Sequence, residues 1–325
     1  MKKRARIAAC ILAAVVLLSG CGEKAAGNQE ETPKSQSKIR LPEKLKLNDA
    51  GVPVLRVWDA DAEENRKMDI ESYLQGVLAG EMKNDWPLEA LKAQAILART
   101  FVLKFCSEKE SKYAGADIST DIEEAQAYDM TGVNDRIEQA VRETRGLVLA
   151  YRGELPYAWF HAHSGGMTEK AKPGLNYEKD EPGYTKVTEG RESEKAPDSA
   201  KAWQAAFSKQ EIAAAALQAG ADGIGEVQTV QIGETGESGR AVTLLINGRS
   251  VNAPEMRLAL GSTKMRSTLL TDIKVTEDRV IFSGKGYGHG VGMPQWGAYG
   301  MAEEGKTAQE IVAYYFDGVT VEKVW

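Results

Sequence analysis

The chain contains 325 residues, of which 42% are hydrophobic and 27% charged, and it carries a formal net charge of −6. Because lysines and arginines are scattered among aspartates and glutamates, the charge pattern argues against binding of nucleic acid through its phosphate backbone. The length allows one large domain, or two closely joined ones, after the N-terminal region.

The first twenty residues have the order of a secretory signal peptide. A basic start precedes the apolar run 7–18, which is too short to cross a bilayer, and a serine and a glycine follow it. The motif LSGC, which ends at Cys21, resembles the bacterial lipobox, in which the cysteine becomes the lipidated first residue of the mature chain. We therefore predict a signal peptide over 1–20 and lipidation at Cys21. The alternative is a plain cleaved signal peptide with an incidental cysteine.

Residues 21–48 are rich in Lys, Glu, Gln, Ser and Asn, contain two prolines and lack aromatic residues. This composition predicts a flexible tether between the lipid anchor and a folded domain over 49–325. With Cys10 in the signal peptide and Cys21 lipidated, Cys106 is alone in the mature domain, so no disulfide can form there. The expected location is the outer face of the cytoplasmic membrane, and the lack of disulfides favours a Gram-positive-type cell.

Apolar periodicity predicts both helices and strands in the first half of the domain. The predicted strands are 52–58, 147–151 and 157–163, and the predicted helices are 68–82, 87–105 and 136–144. Pro87 suits the first turn of its helix, and the turn 152–154 joins two of the strands. From 165 to 199 the composition in Gly, Pro, Lys and Glu predicts an irregular surface segment.

The second half continues the mixture without a fixed-period repeat. The predicted helices are 203–219 and 307–316, and the predicted strands, set around turns at 236–239 and 247–248, are 227–232, 241–246 and 273–282. Because regular βαβ alternation is absent, these elements predict an α+β fold of one large lobe or two closely joined lobes around a groove. The region 170–270 would form a second lobe or an insertion.

Glu81 follows the apolar run 77–80. A carboxyl group that loses hydration in such surroundings has a raised pKa and suits proton donation. The structural alternative is a solvated or capping glutamate, which is the commoner case near a helix end. Glu81 and Glu89 could also be the paired carboxylates of a hydrolytic glycosidase, but the turn between them leaves their separation open. One acid suffices if the sugar supplies its own nucleophile.

Glycines alternate with other residues from Gly284 to Gly292 and flank His289. The pattern permits close approach of backbone or ligand, but it lacks the spacing and lysine of a phosphate-binding P-loop. His289 therefore either reaches a cleft or is hydrogen-bonded inside a tight turn. His161 and His163 share one face of a predicted strand, as a metal pair would, although structural histidines on strands are common.

Several segments, in order along the chain, resemble the bacterial family of stage II sporulation protein D and amidase-enhancer domains. They are YLQGVLAGEM (73–82), WPLEALKAQA (86–95), ART (98–100), QAY (126–128), HAHSGG (161–166) and GHGVGMPQWGA (288–298). The resemblance covers nearly everything after the tether. It implies a lytic transglycosylase, the activity of the family's sporulation members, which cut peptidoglycan glycan strands.

The resemblance also implies roles for individual residues. Glu81 matches the family's catalytic glutamate, and it would protonate the oxygen between N-acetylmuramic acid and N-acetylglucosamine and then take a proton from the muramic 6-hydroxyl. The product is a 1,6-anhydro end, no water is consumed, and the strands cut could be those stripped of stem peptides. The residues expected to line the glycan groove are Lys92, Arg99, Gln126, Tyr128, Ser164, His289, Gln295 and Trp296.

Some sporulation members bind zinc through histidine and cysteines just after the Ser-Gly-Gly element, but here residues 167–172 contain no cysteine. We therefore predict no metal and no cofactor. The expected partners are peptidoglycan strands, the membrane through the lipid, and an amidase or another wall-remodelling protein. The main alternative is a non-catalytic wall-binding lipoprotein that activates an N-acetylmuramoyl-L-alanine amidase. A metal hydrolase built on His161, His163 and His289 is the third hypothesis.

Overall fold

The structure, a computed structural model, describes residues 39–325. The predicted signal peptide, the lipidation site at Cys21 and most of the predicted tether lie outside the described residues. Within them, no helix is both long enough and apolar enough to span a membrane.

Helices and mainly antiparallel strands are interspersed along the chain, which confirms the predicted α+β class. The helices of the described residues are α1 (Ile70–Glu81), α2 (Leu88–Glu108), α3 (Asp135–Glu143), α4 (Ala171–Leu175), α5 (Asp198–Lys201), α6 (Lys209–Gln218), α7 (Ala253–Ala259), α8 (Gln295–Glu303) and α9 (Ala308–Tyr315). The strands are β1 (Lys46–Leu47), β2 (Pro53–Asp59), β3 (Glu64–Asp69), β4 (Ile118–Ser119), β5 (Leu147–Tyr151), β6 (Phe160–His161), β7 (Ala202–Ser208), β8 (Val230–Ile232), β9 (Thr243–Ile246), β10 (Arg249–Asn252), β11 (Leu270–Val275), β12 (Arg279–Lys285), β13 (Met293–Pro294) and β14 (Val319–Lys323).

Helix α2 is the centre of the first hydrophobic core. It is 21 residues long and begins directly after Pro87, whose fixed φ suits a helix start. Its buried alanines allow close packing of α1, α3, α8 and α9 around it. Because α8 and α9 come from the end of the chain and α1 from its beginning, this helix brings distant parts of the sequence together.

Strand pairing joins the two ends of the domain in the same way. The strand β14 pairs antiparallel with β5, and β13 pairs in parallel with β6. Near the start of the domain, β2 lies between β1 and β3 and also pairs in parallel with β4. The sequence that follows β13 is therefore held against the first half of the domain, where α1 ends.

A second hydrophobic cluster contains buried residues between Trp203 and Phe282. Its strands form two antiparallel sheets, one in the order β11-β12-β7 and one in the order β10-β9-β8. The turn between β9 and β10 is the predicted pair Asn247 and Gly248, both with positive φ, as a tight hairpin turn requires. Helices α6 and α7 pack together beside these sheets.

Three secondary-structure predictions are wrong because tertiary pairing overrides local pattern. The segment 202–208 is strand β7 rather than helix, and α6 starts only at the capping box of Ser208 with Glu211. The predicted strand 273–282 is instead the hairpin of β11 and β12. The predicted strand 157–163 is reduced to the two residues of β6, although the turn 152–154 before it is present.

Two predicted surface segments are also corrected. The segment 165–199 contains α4 and the start of α5 and buries Glu169 and Tyr184, so it is part of the folded body rather than a surface excursion. Residues 39–48 were predicted as tether, yet Ile39 and Leu45 are buried and β1 pairs with β2. The folded domain therefore begins inside the predicted tether.

Candidate active site

Glu81 is the last residue of α1, and its side chain is held by two amide donors. The backbone N–H of Ala127 donates to Glu81 Oε1 at 2.8 Å. The side-chain amide of Gln295 donates to Glu81 Oε2 at 3.3 Å and to the Glu81 carbonyl oxygen at 3.2 Å. Both donors are neutral, so they orient the carboxyl group without placing a positive charge beside it.

Burial raises the pKa of Glu81 above its ordinary value, because the charged form loses hydration in the partly buried position. The hydrogen bonds from Ala127 and Gln295 favour the charged form and lower the pKa in part. The net direction is upward, so this carboxyl group holds its proton to a higher pH than an ordinary glutamate does. The same group can accept a proton once it has given its own away.

Two glycines on one face of α1 explain how the segment 126–129 reaches Glu81. A Cβ atom at Gly76 would lie 2.4 Å from the ring of Tyr128, and one at Gly80 would lie 2.6 Å from the Tyr128 backbone nitrogen. The close approach lets the N–H of Asp129 donate to the Gly76 carbonyl at 2.9 Å. The role of Ala127 was missed because a backbone donor has no side-chain signature, although the spacing of Gly76 and Gly80 could have indicated the contact.

The pairing of β6 with β13 positions Gln295 and Trp296, which form the other side of the site. Pro294 pairs with His161, and the N–H of Trp296 donates to the Ala162 carbonyl at 3.1 Å. Gln295 begins α8 at this point and faces Glu81. The Trp296 ring contacts that of Trp86 with centroids 4.4 Å apart. The structure thus brings Glu81, Gln295, Trp296 and the segment of Gln126 and Tyr128 together.

Gln126, one residue before Ala127, is buried with 3% of its surface exposed. Within the described residues, neither the oxygen nor the nitrogen of its side-chain amide has a hydrogen-bond partner. An unpaired buried polar group costs about 1–3 kcal/mol, which makes Gln126 an unusual neighbour of the Ala127 donor. Tyr128 is half-buried and stacks on Tyr73 with centroids 5.5 Å apart.

Arg99 and Ser164 are corrected, since neither is exposed to solvent. Arg99 pairs with Glu71 at 2.6 Å and also donates to the Leu147 carbonyl at 3.0 Å. Ser164 donates from its backbone N–H to Glu192 at 2.6 Å, and its hydroxyl also donates to Glu192. Side chains buried and paired in this way support the fold and cannot line an open groove.

Lys92 and Glu89 form a pair of their own. The ammonium of Lys92 lies 2.7 Å from Glu89 and 3.3 Å from Glu143. Glu89 also accepts from the N–H of Ala308 at 2.7 Å, which holds it at the start of α9. Glu89 is therefore committed to these contacts, and the structure does not join it with Glu81 as a second carboxylate of one site.

The three histidines are bound into the glycine-rich region. His289 accepts from the N–H of Val291 at 3.0 Å, and burial together with Arg257 and Arg240 lowers its pKa to about 3. His161 Nδ1 lies 3.1 Å from the Val291 carbonyl, and burial holds the pKa of His161 well below its usual range.

His163 accepts from the N–H of Gly165 at 2.9 Å. The glycines allow close packing here, because a Cβ at Gly290 would lie 2.3 Å from the Arg240 guanidinium. Among residues 39–325 no three or more His, Cys, Asp or Glu side chains are placed to hold a metal ion. The hydrogen bonds give these histidines structural partners, and the geometry of residues 39–325 does not favour the metal hydrolase.

Comparison with known proteins gives two family matches. Residues 59–151 match the family described as stage II sporulation protein, and residues 175–292 match a domain of unknown function (DUF8618). The first match contains Glu81 and Ala127, whereas Gln295 and Trp296 lie beyond both matches.

Individual relatives extend the similarity over most of the chain. An uncharacterized protein of Brachyspira hyodysenteriae is 32% identical over 259 residues, which are 78% of this chain and 67% of that protein. The stage II sporulation protein D of Bacillus subtilis is 29% identical over 319 residues, 92% of this chain and 88% of the relative. The amidase enhancer of Bacillus subtilis is 28% identical over 294 residues, 76% of this chain but only 40% of the enhancer.

Proposed function

The chain belongs to the stage II sporulation protein D family, and from that premise we propose that it is a lytic transglycosylase of peptidoglycan glycan strands. The observation that carries the proposal is the carboxyl group of Glu81, which is partly buried, has a raised pKa and, within the described residues, accepts hydrogen bonds from the amide donors of Ala127 and Gln295. A single group with these properties can serve as acid and then as base.

In the first step, Glu81 gives its proton to the oxygen that links N-acetylmuramic acid to N-acetylglucosamine, and the bond to the muramic anomeric carbon breaks. In the second step, the muramic 6-hydroxyl oxygen bonds to that carbon and its proton passes to Glu81. The carboxyl group ends protonated, as it began, and the sugar closes on itself as a 1,6-anhydro end. Water is neither consumed nor released, so a second carboxylate is unnecessary.

The neighbours of Glu81 supply candidates for substrate contacts. Gln126 stays a candidate contact, but its amide is buried, so it would reach a sugar hydroxyl or acetamide only after the segment 126–128 moves. Trp296 and Tyr128 offer partly exposed ring surface for stacking against a sugar. Gln295 is then a positioning residue for Glu81 as well as a candidate substrate contact.

We further propose that the protein is exported and lipidated at Cys21. A lipid there, with the segment between it and Ile39, would hold Glu81 within a limited distance of the membrane surface. Cys21→Ala should move the full-length protein from the membrane fraction to the soluble fraction of the producing cell. An unchanged distribution would contradict the anchor without bearing on catalysis.

The activity is tested by digestion of purified glycan strands, with and without stem peptides, followed by mass spectrometry of the products. The wild-type chain should release anhydro-muramic ends, whereas Glu81→Ala should release none. Glu89→Ala is the matched control and should retain activity, because Glu89 is committed to Lys92 and α9. The proposal would be contradicted if the wild type formed no new ends on strands with stem peptides and none on strands without them.

A second candidate function is favoured by the similarity to the amidase enhancer. In that case the domain would bind wall glycan and stimulate an N-acetylmuramoyl-L-alanine amidase without cutting the strand. The test adds wild type or Glu81→Ala to an amidase that is acting on intact peptidoglycan. Equal stimulation by both proteins, with no anhydro ends from either, would support the activator.

A further inference from the structure

A cleft of about 280 Å³ lies beside the C-terminal half of α2, whereas Glu81 precedes the N-terminal end of that helix. Its aromatic and apolar lining residues are Phe101, Phe105, Tyr157, Trp159, Leu175 and Tyr177. We call it the aromatic cleft. None of these residues contributes to the site around Glu81.

The rings of the aromatic cleft form a floor and a wall. Tyr157 and Trp159 are stacked with centroids 5.1 Å apart and planes inclined by 18°. Tyr177 stands edge-on to both, at 72° to Tyr157 and 79° to Trp159. All three side chains are only half-buried, so apolar ring surface is left for a ligand.

Charged and hydroxyl groups border this apolar floor. Lys104 lies 4.9 Å from the centre of the Tyr157 ring and pairs with Glu108 at 2.7 Å, and Glu108 also accepts from the Tyr157 hydroxyl. Lys109 lies 5.9 Å from the centre of the Phe105 ring. A pyranose ring has an apolar carbon-bound face and a rim of hydroxyls, so it matches an aromatic floor with polar edges better than a purely apolar side chain does.

The aromatic cleft is joined to the Glu81 site through the pairing of β6 with β13. The carbonyl of Trp159 accepts from the N–H of Met293 at 3.1 Å, and Gln295, two residues further on, donates to Glu81. The backbone pairing therefore fixes the position of the cleft relative to Gln295. The ammonium group of Lys109 also complements the lactyl carboxylates that muramic acid exposes when stem peptides are absent.

We propose that the aromatic cleft is an accessory subsite that binds a sugar of the same glycan strand that is cut at Glu81. The inference rests on the proposed function for the identity of the strand. It predicts that affinity depends on strand length, because a fragment too short to reach from Glu81 to the cleft gains nothing from it.

The test measures binding of peptide-free glycan strands to the full-length chain carrying Glu81→Gln, so that cleavage does not interfere. Adding Trp159→Ala or Tyr177→Ala should each raise the Kd for long strands by about tenfold. The Kd for a disaccharide fragment should stay unchanged. Tyr113→Ala removes a tyrosine that stacks on Trp58 outside the cleft, and as the matched control it should leave both values unchanged.

Circular dichroism and thermal unfolding identify a variant that fails to fold, and Tyr177→Ala provides the test if Trp159→Ala is unstable. Unchanged affinity for long strands in a folded cleft variant would overturn the proposal. Binding of stem peptide and of anionic lipid vesicles is measured in the same way, and a variant that loses affinity for one of these but not for glycan strands would also overturn it. The two failures are distinguishable. If strand affinity depends on Trp159, the subsite is supported even when no anhydro ends form. If strands are cleaved normally but their affinity does not depend on Trp159, the subsite is refuted and the proposed function is not.

Discussion

The two ends of α1 each hold a glutamate, and their surroundings differ in kind. Near the N-terminal end, Glu71 pairs with Arg99 at 2.6 Å and accepts at 3.0 Å from both the Gly146 N–H and the Trp325 indole. At the C-terminal end, the donors to Glu81 found within residues 39–325 are the neutral N–H groups of Ala127 and Gln295. Glu71 holds the C-terminal segment in place, whereas burial raises the pKa of Glu81, as a proton donor requires.

The two sites differ in whether a positive charge lies beside the carboxylate. At Glu71 the guanidinium of Arg99 lies beside the carboxylate and balances its negative charge. Amide donors orient a carboxylate but leave most of its desolvation uncompensated, which keeps the pKa of Glu81 raised. Mutations at the two ends of α1 should therefore have different consequences. Those at Glu81 should chiefly affect catalysis, and those at the Glu71–Arg99 pair should chiefly affect stability.

The largest expected effect is that of Glu81→Gln on strand cleavage. Loss of the acid and base should lower kcat by about 10³-fold or more, measured from the rate of anhydro-end formation.

The same variant should not lose stability as it loses activity. Burial raises the folded-state pKa above the ordinary 4.5, so the free energy of unfolding of the wild type falls as the pH rises from the unfolded pKa to the folded one.

Glu81→Gln should therefore be at least as stable as the wild type at neutral pH, and its denaturant unfolding should lack this pH-dependent loss. A variant that retains cleavage, or that is much less stable than the wild type at pH 7, would place Glu81 among the structural residues.

Arg99→Ala should affect stability most at the other end of the helix. It leaves the carboxylate of Glu71 without its buried partner and should lower the free energy of unfolding by about 3–5 kcal/mol. Urea unfolding monitored by circular dichroism measures the change. Arg66→Ala is the control, because the Arg66 side chain is exposed and its loss should change the free energy of unfolding much less. Equal losses from both variants would contradict the role of the buried pair.

Gly80→Ala should disturb the C-terminal end of α1, where Glu81 lies, without removing any charged group. The new Cβ would lie 2.6 Å from the Tyr128 nitrogen and 2.7 Å from the Ala127 carbonyl carbon, so that segment must move away from Glu81. Misplacement of this size should lower kcat by about 10–100-fold. In Gly132→Ala the nearest atom belongs to the movable side chain of Asp129, and near-normal activity is expected. Full activity of Gly80→Ala would show that the Ala127 contact is dispensable.

The smallest expected effect is that of Gln295→Ala on the pH dependence of cleavage. The Gln295 amide favours charged Glu81, so its removal should raise the pKa of Glu81 further. Because the first step needs the protonated acid, the alkaline limb of the kcat profile should shift to higher pH. The profile is measured from initial rates over a series of buffers. An alkaline limb that moves to lower pH would contradict the assigned hydrogen bond.

Local pattern predicted most of α1 and α2, and the apolar run before Glu81 drew attention to its carboxyl group. Helix α8 was not predicted, because Gly297 and Gly300 weaken helix propensity. Tertiary packing requires them, since a Cβ at either would lie 2.2 or 2.3 Å from the carbonyls of Gly190 and Arg191. The sequence motif of Gln295 was recognised, but its contact with a residue 214 positions away depends on the whole fold.

Arg99 illustrates the opposite error. Its motif position suggested a groove residue, but the nearby carboxylate of Glu71 and the C-terminal Trp325 were not visible from local pattern. Long-range burial decides whether a charged residue faces a ligand or anchors the chain. The same limit applies to β7, whose alanine-rich sequence suggested a helix until its pairing with β12 was known.

In the proposed reaction, Glu81 gives a proton to the glycan and takes one back, and water takes no part. Digestion of peptide-free strands by the full-length chain in water labelled with heavy oxygen tests it directly. The expected result is new muramic ends that carry no label and are lighter than hydrolysed ends by one water molecule, with none formed by Glu81→Gln. Labelled reducing ends, or unlabelled ends that persist in Glu81→Gln, would contradict it.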